Sequence, residues 1–411
     1  MIDVFTRQGA AADAIDEVIP RYVVEPTTAH DLAATLQQAS RDRQMTVLRG
    51  GGTKLAWGRP PSALDLLVST ARLSTEIVHR HGDLTATAQA GVTLSLFNRE
   101  LARHGQWLPI DATSDDATIG GIVATNDSGP LRHRQGTPRD LLIGVTLALA
   151  DGRLVKAGGH VVKNVAGYDL GKLVSGSFGT YGAIVDATFK LLPLPQASAT
   201  VEATYDDGEA MSRDAAQISA SQLEPCAFDV RLVRRGGGSS DPPGTYTLLL
   251  RFASSPAAVD AQVGSVQRLL SAESSLVTGD RETALWTDQL RLPWAGAGAV
   301  VRCAWLPSRL AELTTLMQEV AEMAASVTLV GRAGVGAGVL TIDAPTRVQA
   351  AVVERLRSSV WVGNVAVLRA SRELKSQIDV WGPPGSSIGA TRALKEKFDP
   401  AGILNAGRGP V

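Results

Sequence analysis

The sequence predicts an α+β protein built in two parts, and three observations carry that reading. Up to Pro195, apolar residues follow helical and strand periods in alternation. Within that half, residues 111–195 are dense in glycine, which weakens helix and strand interiors and so points to backbone brought close to something bulky. Beyond Pro195 a different unit repeats: a strand, a proline near a helix start, then an amphipathic helix.

A chain of 411 residues has room for more than one domain. A net charge of −1, a pI near 6.6 and the lack of any Lys/Arg tract argue against nucleic-acid partners and anionic membrane surfaces. The N-terminus carries acids and no apolar core, so it does not read as a secretory signal. The longest apolar run, residues 141–150, falls well short of a bilayer span, which excludes direct membrane insertion and leaves a soluble, cytoplasmic protein as the expectation. Cys226 and Cys303 are the only cysteines, which suits a reducing compartment and core thiols. They are too few to ligate an iron–sulfur cluster.

Thr27, Thr28 and Asp31 form a capping-box pattern ahead of a helix with Leu32, Leu36 and Ala39 on one face. A strand at 46–48 then runs into Arg49-Gly50-Gly51-Gly52-Thr53-Lys54. Such a loop is either a nest of N–H groups for phosphate oxygens or a plain flexible turn. It lacks the spacing of a P-loop, and the glycines at 334, 336 and 338 open no helix, as a Rossmann fingerprint requires. Strands are expected at 64–68 and 84–90, then a helix capped by Thr93 and stopped at Gly105. Strands 142–150 and 153–156 are joined by the Asp151-Gly152 hairpin signal, and 181–192 is a further strand. The three strand–Pro–helix units begin at 245, 299 and 338, with Pro256, Pro307 and Pro345 at the helix starts, and together predict a ferredoxin-like sandwich. A short helix at 391–398 precedes the glycine-rich tail DPAGILNAGRGP.

Five segments in this order resemble one family. They are the RGGGTK loop at 49–54, LPIDATSDDATIGGIVATNDSG at 108–129, GTPRDLLIG at 136–144, KNVAGYDLGKLVSGSFGTYGAI at 163–184, and the DPAGILNAGR tail. They resemble the FAD-binding proteins of the vanillyl-alcohol-oxidase or PCMH type, and within them the smaller FAD-binding subunits of bacterial glycolate oxidases. The resemblance implies a PCMH-type FAD-binding domain of two α+β subdomains at 1–195, a compact ferredoxin-like cap domain at 196–385, and a segment at 386–411 that returns to the first domain. It also implies roles. Gly50, Gly51, Gly52 and Thr53 would bind the FAD pyrophosphate through main-chain N–H groups. Thr118, Ile119, Gly120 and Gly121 would hold its other side and the ribityl chain. Asn126, Ser128 and Gly129 would approach the flavin ring, Gly182 and Ile184 would offer backbone to the adenine end, and Asn405 would close over the flavin.

Family members with covalent flavin carry a His in the pyrophosphate loop, where this chain has Thr53 and Lys54, so the FAD is expected to be non-covalent. Related D-2-hydroxy acid dehydrogenases carry a metal-binding His-x-His in the second domain, and this chain has no histidine beyond His160. His79-Arg80-His81 has that spacing but lies in the first part and reads as an exposed hairpin pair. Arg132 and His133 are the candidate carboxylate clamp and base for a 2-hydroxy acid, or surface residues paired with Asp127 or Asp140. Lys163, Asn164, Tyr168 and Asp169 either touch the flavin edge or form a loop with Tyr packed on the sheet and Asp capping a helix. The resemblance thus implies an FAD-binding subunit working with a larger FAD-binding catalytic subunit and an iron–sulfur subunit, in the cytoplasm or peripheral at the inner membrane through that complex. A self-sufficient dehydrogenase and a partner subunit with a vestigial flavin site are the alternatives.

Overall fold

The computed structural model describes residues 4–161, 167–235, 244–323 and 326–409. Its contacts divide into two units. The first comprises Met1–Ser128, Gly136–Leu194 and Pro383–Val411, and the second Gly129–Gln135 and Pro195–Gly382.

The first unit opens with β1 (Phe5–Gln8), β2 (Tyr22–Glu25), α1 (Ala29–Arg41), β3 (Thr46–Arg49) and β4 (Leu66–Ser69). These strands form a four-stranded sheet in the order β1-β2-β4-β3, parallel except for β1. Helix α1 starts where Thr28 Oγ1 accepts the Asp31 N–H, and its Leu32 and Leu36 pack with Val24, Leu66 and Val68. Next come β5 (Ile77–Arg80), β6 (Thr85–Gln89), α2 (Leu94–Ala102), β7 (Gln106–Trp107) and α3 (Ile119–Thr125). The single turn α4 (Arg132–Gln135) groups with the second unit, and α5 (Pro138–Leu141) returns to the first. After it follow β8 (Leu142–Ala148), β9 (Leu154–Gly158), α6 (Leu170–Val174), β10 (Ala183–Lys190) and β11 (Leu192–Pro193). An antiparallel sheet, β5-β6-β10-β8-β9, packs one face on Phe97, Leu101, Ile122 and Val123 of α2 and α3. Its other face carries Thr87, Gln89, Thr146 and Asp186, the polar half of a strand alternation.

The second unit contains two copies of one motif. The first is β12 (Ala197–Tyr205), α7 (Gly208–Ser219), β13 (Ala227–Arg235), β14 (Thr245–Ser254), α8 (Pro256–Leu269) and β15 (Ser274–Val277). After α9 (Gly279–Arg291), the second is β16 (Ala299–Trp305), α10 (Leu310–Met323), β17 (Ser326–Arg332), β18 (Ala337–Asp343), α11 (Thr346–Ser358) and β19 (Val362–Arg369). The sheet order β15-β12-β14-β13-β17-β18-β16-β19 is that of two ferredoxin-like sheets fused edge to edge, β13 pairing with β17. Helices α7, α8, α10 and α11 bury Met211, Val263, Leu313 and Val352 in one core on one face. Trp286 of α9 packs against Ala227 and Leu249 on the other. The sequence shows three strand–helix repeats where the structure has four, because α7 is opened by Asp207 accepting the Glu209 and Ala210 amides rather than by a proline. Helices α12 (Arg372–Gln377) and α13 (Ile388–Phe398) follow, the second within the first unit.

Candidate functional site

The first unit holds a cleft of roughly 820 Å³, counted to its open mouth, between the end of β3, the start of α3, the turn before β10 and the C-terminal tail. Its walls include Gly50, Gly51, Gly52, Thr53, Thr118, Gly120, Gly121, Gly182, Ile184 and Asn405. Arg49, Lys54, Phe178, Gly179 and Arg408 also line it; the sequence reading put Arg49 and Lys54 in the phosphate-type loop but gave none of the five a role in binding.

The glycine loop is fixed at its root. Arg49 donates to Asp13 Oδ1 at 3.0 Å, and Arg7 grips the same buried carboxylate through both oxygens at 2.6 and 2.8 Å. These hydrogen bonds, that from Arg7 first, hold the Asp13 carboxyl well below the usual carboxylate range. Gly52 then turns with φ +75°. Among the described residues, the N–H groups from Gly50 to Lys54 enter no hydrogen bond, so a run of consecutive amides is left for an anion at the cleft wall.

The glycines have a second reason to be there. A Cβ on Gly50 would stand 2.1 Å from Thr118 Oγ1, on Gly51 1.8 Å from the Asp116 carbonyl oxygen, and on Gly120 2.7 Å from Ala90 Cβ. The close approach inferred from sequence is at these positions an approach of the chain to itself. Gly121 differs: its Cβ would meet only Thr118 Oγ1, at 3.3 Å, with the cleft beyond.

Helix α3 shapes the opposite wall more than it donates to it. Thr118 caps it, while the Ile119 N–H bonds Val92 O and the Gly120 N–H bonds Ala90 O. Those two amides are spent on the protein, and the Ile119 side chain is buried in the core. Ile119, Asn126, Ser128 and Gly129 do not line the cleft. Asn126 ends α3 in the left-handed region, φ +49°, and its Oδ1 accepts the Arg139 N–H. Gly129 belongs to the second unit.

The tail closes the remaining side. Thr46 N–H donates to Ile403 O and Asn405 N–H to Thr46 O, so the tail pairs with β3 directly. Lys395 Nζ donates to Asp399 Oδ2 at 2.5 Å, Leu404 O at 2.8 Å and Thr180 O at 3.0 Å, tying the tail to the turn before β10. Asn405 Nδ2 donates to Phe178 O, leaving its buried Oδ1 without a partner on the cleft wall.

Electrostatically the walls carry Arg49, Lys54 and Arg408 and no Asp or Glu. Lys54 Nζ is 3.1 Å from Asp127 Oδ2 and rests over the Trp57 ring. Arg408 is buried, and burial lowers its pKa to about 10. Unspent amides, basic side chains along the walls and an orphaned acceptor fit an elongated, anionic, hydrogen-bonding ligand, the chemistry of a flavin dinucleotide.

The two candidate catalytic residues cluster with the second unit. The His133 ring packs edge-on to Phe228 and beside Gly334, its buried Nδ1 has no hydrogen-bond partner, and burial, then Arg134, lowers its pKa. Arg132 is half-buried, and Arg134 pairs with Glu224 at 2.9 Å. Asp169 caps α6, whereas Tyr168 is 91% exposed rather than packed on a sheet. Lys163 and Asn164 lie outside the described residues. His79 and His81 are joined by His104, with ring centroids 4.3–6.0 Å apart, yet no group able to hold a metal is assembled among the described residues.

Residues 20–158 match the family model of an FAD binding domain. The chain is 26% identical over 419 residues to glycolate oxidase subunit GlcD of Bacillus subtilis, covering 95% of this chain and 89% of that one. It is 34% identical over 227 residues to glycolate oxidase subunit GlcE of Escherichia coli, covering 53% of this chain and 63% of the relative. It is 36% identical over 171 residues to a D-lactate dehydrogenase of Archaeoglobus fulgidus, covering 42% of this chain and 38% of the relative. The last two matches thus span less than two thirds of those relatives. Among solved structures, chitooligosaccharide oxidase superposes with a TM-score of 0.71 at 16% identity, covering 100% of this chain and 98% of that one. An alkyldihydroxyacetonephosphate synthase superposes with a TM-score of 0.70 at 17% identity, covering 95% and 77%. At such identities the structures speak for the fold alone.

Fold, cleft and family match define an FAD-binding flavoprotein with the PCMH-type architecture. Residues 20–158 carry the FAD binding domain of an FAD-dependent oxidoreductase, and the chain's likeness to known proteins runs to subunits of glycolate oxidase. No helix among the described residues is long and apolar enough to cross a membrane.

Proposed function

We propose that this chain is the FAD-binding subunit of a multi-subunit glycolate oxidase or D-2-hydroxy acid dehydrogenase, working with a larger FAD-binding subunit and an iron–sulfur subunit. The observation that carries the flavin half of this reading is the cleft, with its row of unspent amides, three cations and no carboxylate on the walls. Likeness to two glycolate oxidase subunits and to a D-lactate dehydrogenase supports the substrate class.

The amides of Gly50–Lys54 would receive the diphosphate on the wall that Arg49, Lys54 and Arg408 also line. The Asn405 Oδ1 would accept from a ribityl hydroxyl or ring N–H, and Phe178 and Ala124 would exclude water. Lys54 is committed to Asp127 and Thr53 is no nucleophile toward a flavin, which supports non-covalent binding. When bound, FAD supplies the two-electron acceptor for conversion of a 2-hydroxy acid to its 2-oxo acid. The chain itself has no histidine beyond His160, and His133 is held in an apolar setting. On that ground a partner subunit is assigned the main oxidation.

Dye reduction with glycolate and D-lactate tests this. The chain alone should be nearly inactive, and activity should appear on adding a longer homologue and a cysteine-rich partner. Full activity of the isolated chain would overturn the subunit reading in favour of a self-sufficient dehydrogenase using Arg132 and His133. A chain unable to bind flavin would leave only the vestigial reading.

A further inference from the structure

Phe178 lines the cleft with its backbone at φ +56°, the left-handed region that a bulky residue rarely adopts. Two neighbours in the same turn, Gly176 at φ +80° and Gly179 at φ +72°, are glycines, which take that conformation without strain. Two contacts from distant parts of the first unit hold position 178 there. Its N–H donates to Ala124 O near the end of α3 at 2.8 Å, and its carbonyl accepts from Asn405 Nδ2 of the tail.

A glycine would serve that backbone better, so the turn alone does not account for a phenylalanine. Core packing does not account for it either. Phe178 belongs to none of the apolar clusters formed by the described residues. It is half-buried, with its ring tilted 47° to that of Trp57 at 6.4 Å between centroids. Among the described residues it is the one aromatic side chain on the cleft wall, where Leu48, Ala124 and Ala183 are also apolar. Strained residues held in place by their surroundings gather at ligand clamps, and here the strained residue carries a ring into the cleft.

We infer that Phe178 is the ring-recognition residue of the cleft: its phenyl group packs against a planar heteroaromatic ring of the dinucleotide, flavin or adenine. The inference rests on the FAD reading above and deepens it, adding aromatic contact at residue 178 to the hydrogen bonding of the glycine loop. Aromatic pairs gain more than the area they bury, so the ring itself and not only its bulk should matter.

The test uses full-length protein stripped of flavin, titrated calorimetrically with FAD, riboflavin and ADP, with thermal midpoints of the flavin-free variants measured alongside. Phe178→Leu keeps apolar bulk without the ring and should weaken FAD about tenfold. Phe178→Tyr keeps the ring and should bind FAD within about twofold of wild type. A matching loss toward riboflavin and not ADP assigns the contact to the flavin ring, and the reverse assigns it to adenine. Phe178→Gly should lose FAD affinity as the Leu variant does, yet melt above Phe178→Ala, because only glycine is unstrained at φ +56°. That pair carries the test should the Leu variant fail to fold. Undiminished FAD affinity without the ring, or equal losses toward all three ligands, would overturn the inference, as would equal midpoints for the Gly and Ala variants. A wild-type chain that binds no FAD refutes the FAD reading itself, an outcome distinct from these.

Discussion

Gly51 and Asp116 approach so closely that a Cβ on the glycine would stand 1.8 Å from the aspartate's carbonyl oxygen. The phosphate-type loop and the segment entering α3 thus build the cleft by touching each other before any ligand arrives. Gly51→Val should therefore lower the thermal midpoint of the first unit as well as its flavin content, because backbone must move to admit the side chain. Calorimetry of the flavin-free protein checks this. An unchanged midpoint with flavin lost would mean the loop is looser than its packing indicates.

Gly121 gives the cleaner probe of the cavity. It sits in the first turn of α3 with the cleft beyond its Cβ position. Gly121→Leu should keep the fold, aided by up to ~1 kcal/mol of helix propensity, while the leucine side chain displaces flavin. Visible absorbance of the purified variant, compared with its circular dichroism, separates the two effects.

Lys395 is largely buried, its Nζ donating to Thr180 O, Asp399 Oδ2 and Leu404 O, and burial lowers its pKa. Lys395→Met would leave the Asp399 carboxylate inside with only the Ile403 and Leu404 amides as donors. A loss of about 2–4 kcal/mol is expected, with earlier proteolysis of the tail than of the rest. Urea midpoints and limited proteolysis read both.

Asp13 makes stability depend on pH in a stated direction. Its folded carboxyl lies well below the ordinary value near 3.9. Its contribution is therefore present above that value and lost as pH falls below it. Asp13→Asn should cost about 2 kcal/mol near neutrality, and the gap to wild type should narrow as pH drops below about 4. Urea midpoints across that range provide the check.

His133 runs on the same logic with an imidazole. Burial favours its neutral form, so the fold binds a proton less readily than the unfolded chain does. Stability should then fall as pH drops below about 6.5, the ordinary histidine value. His133→Gln should flatten that part of the profile. A wild-type profile already flat there would show the ring to be solvated.

The glycine loops, the capping residues and the Asp151-Gly152 hairpin were legible because each is a local device with a residue signature. Thr28 and Thr93 cap helices as their spacing implies, and Gly152 sits at φ +87°. Arg49, Lys54 and Arg408 were not legible as one group, since only folding brings residue 408 to residues 55 and 57. The second ferredoxin-like copy was half-hidden because α7 uses Asp207 where the other repeats show proline. His133 follows the glycine-rich segment in sequence, yet its ring packs on Phe228 and Gly334, contacts far along the chain that no local pattern encodes.

The central claim is that this chain binds FAD without a covalent bond in the cleft between Gly50–Lys54, α3 and the tail. Acid precipitation of the purified full-length protein tests it most directly. The account predicts a yellow protein that releases near-stoichiometric FAD into the supernatant and takes it up again after refolding. A colourless chain that binds no added FAD, or flavin that stays with the precipitate, would contradict it.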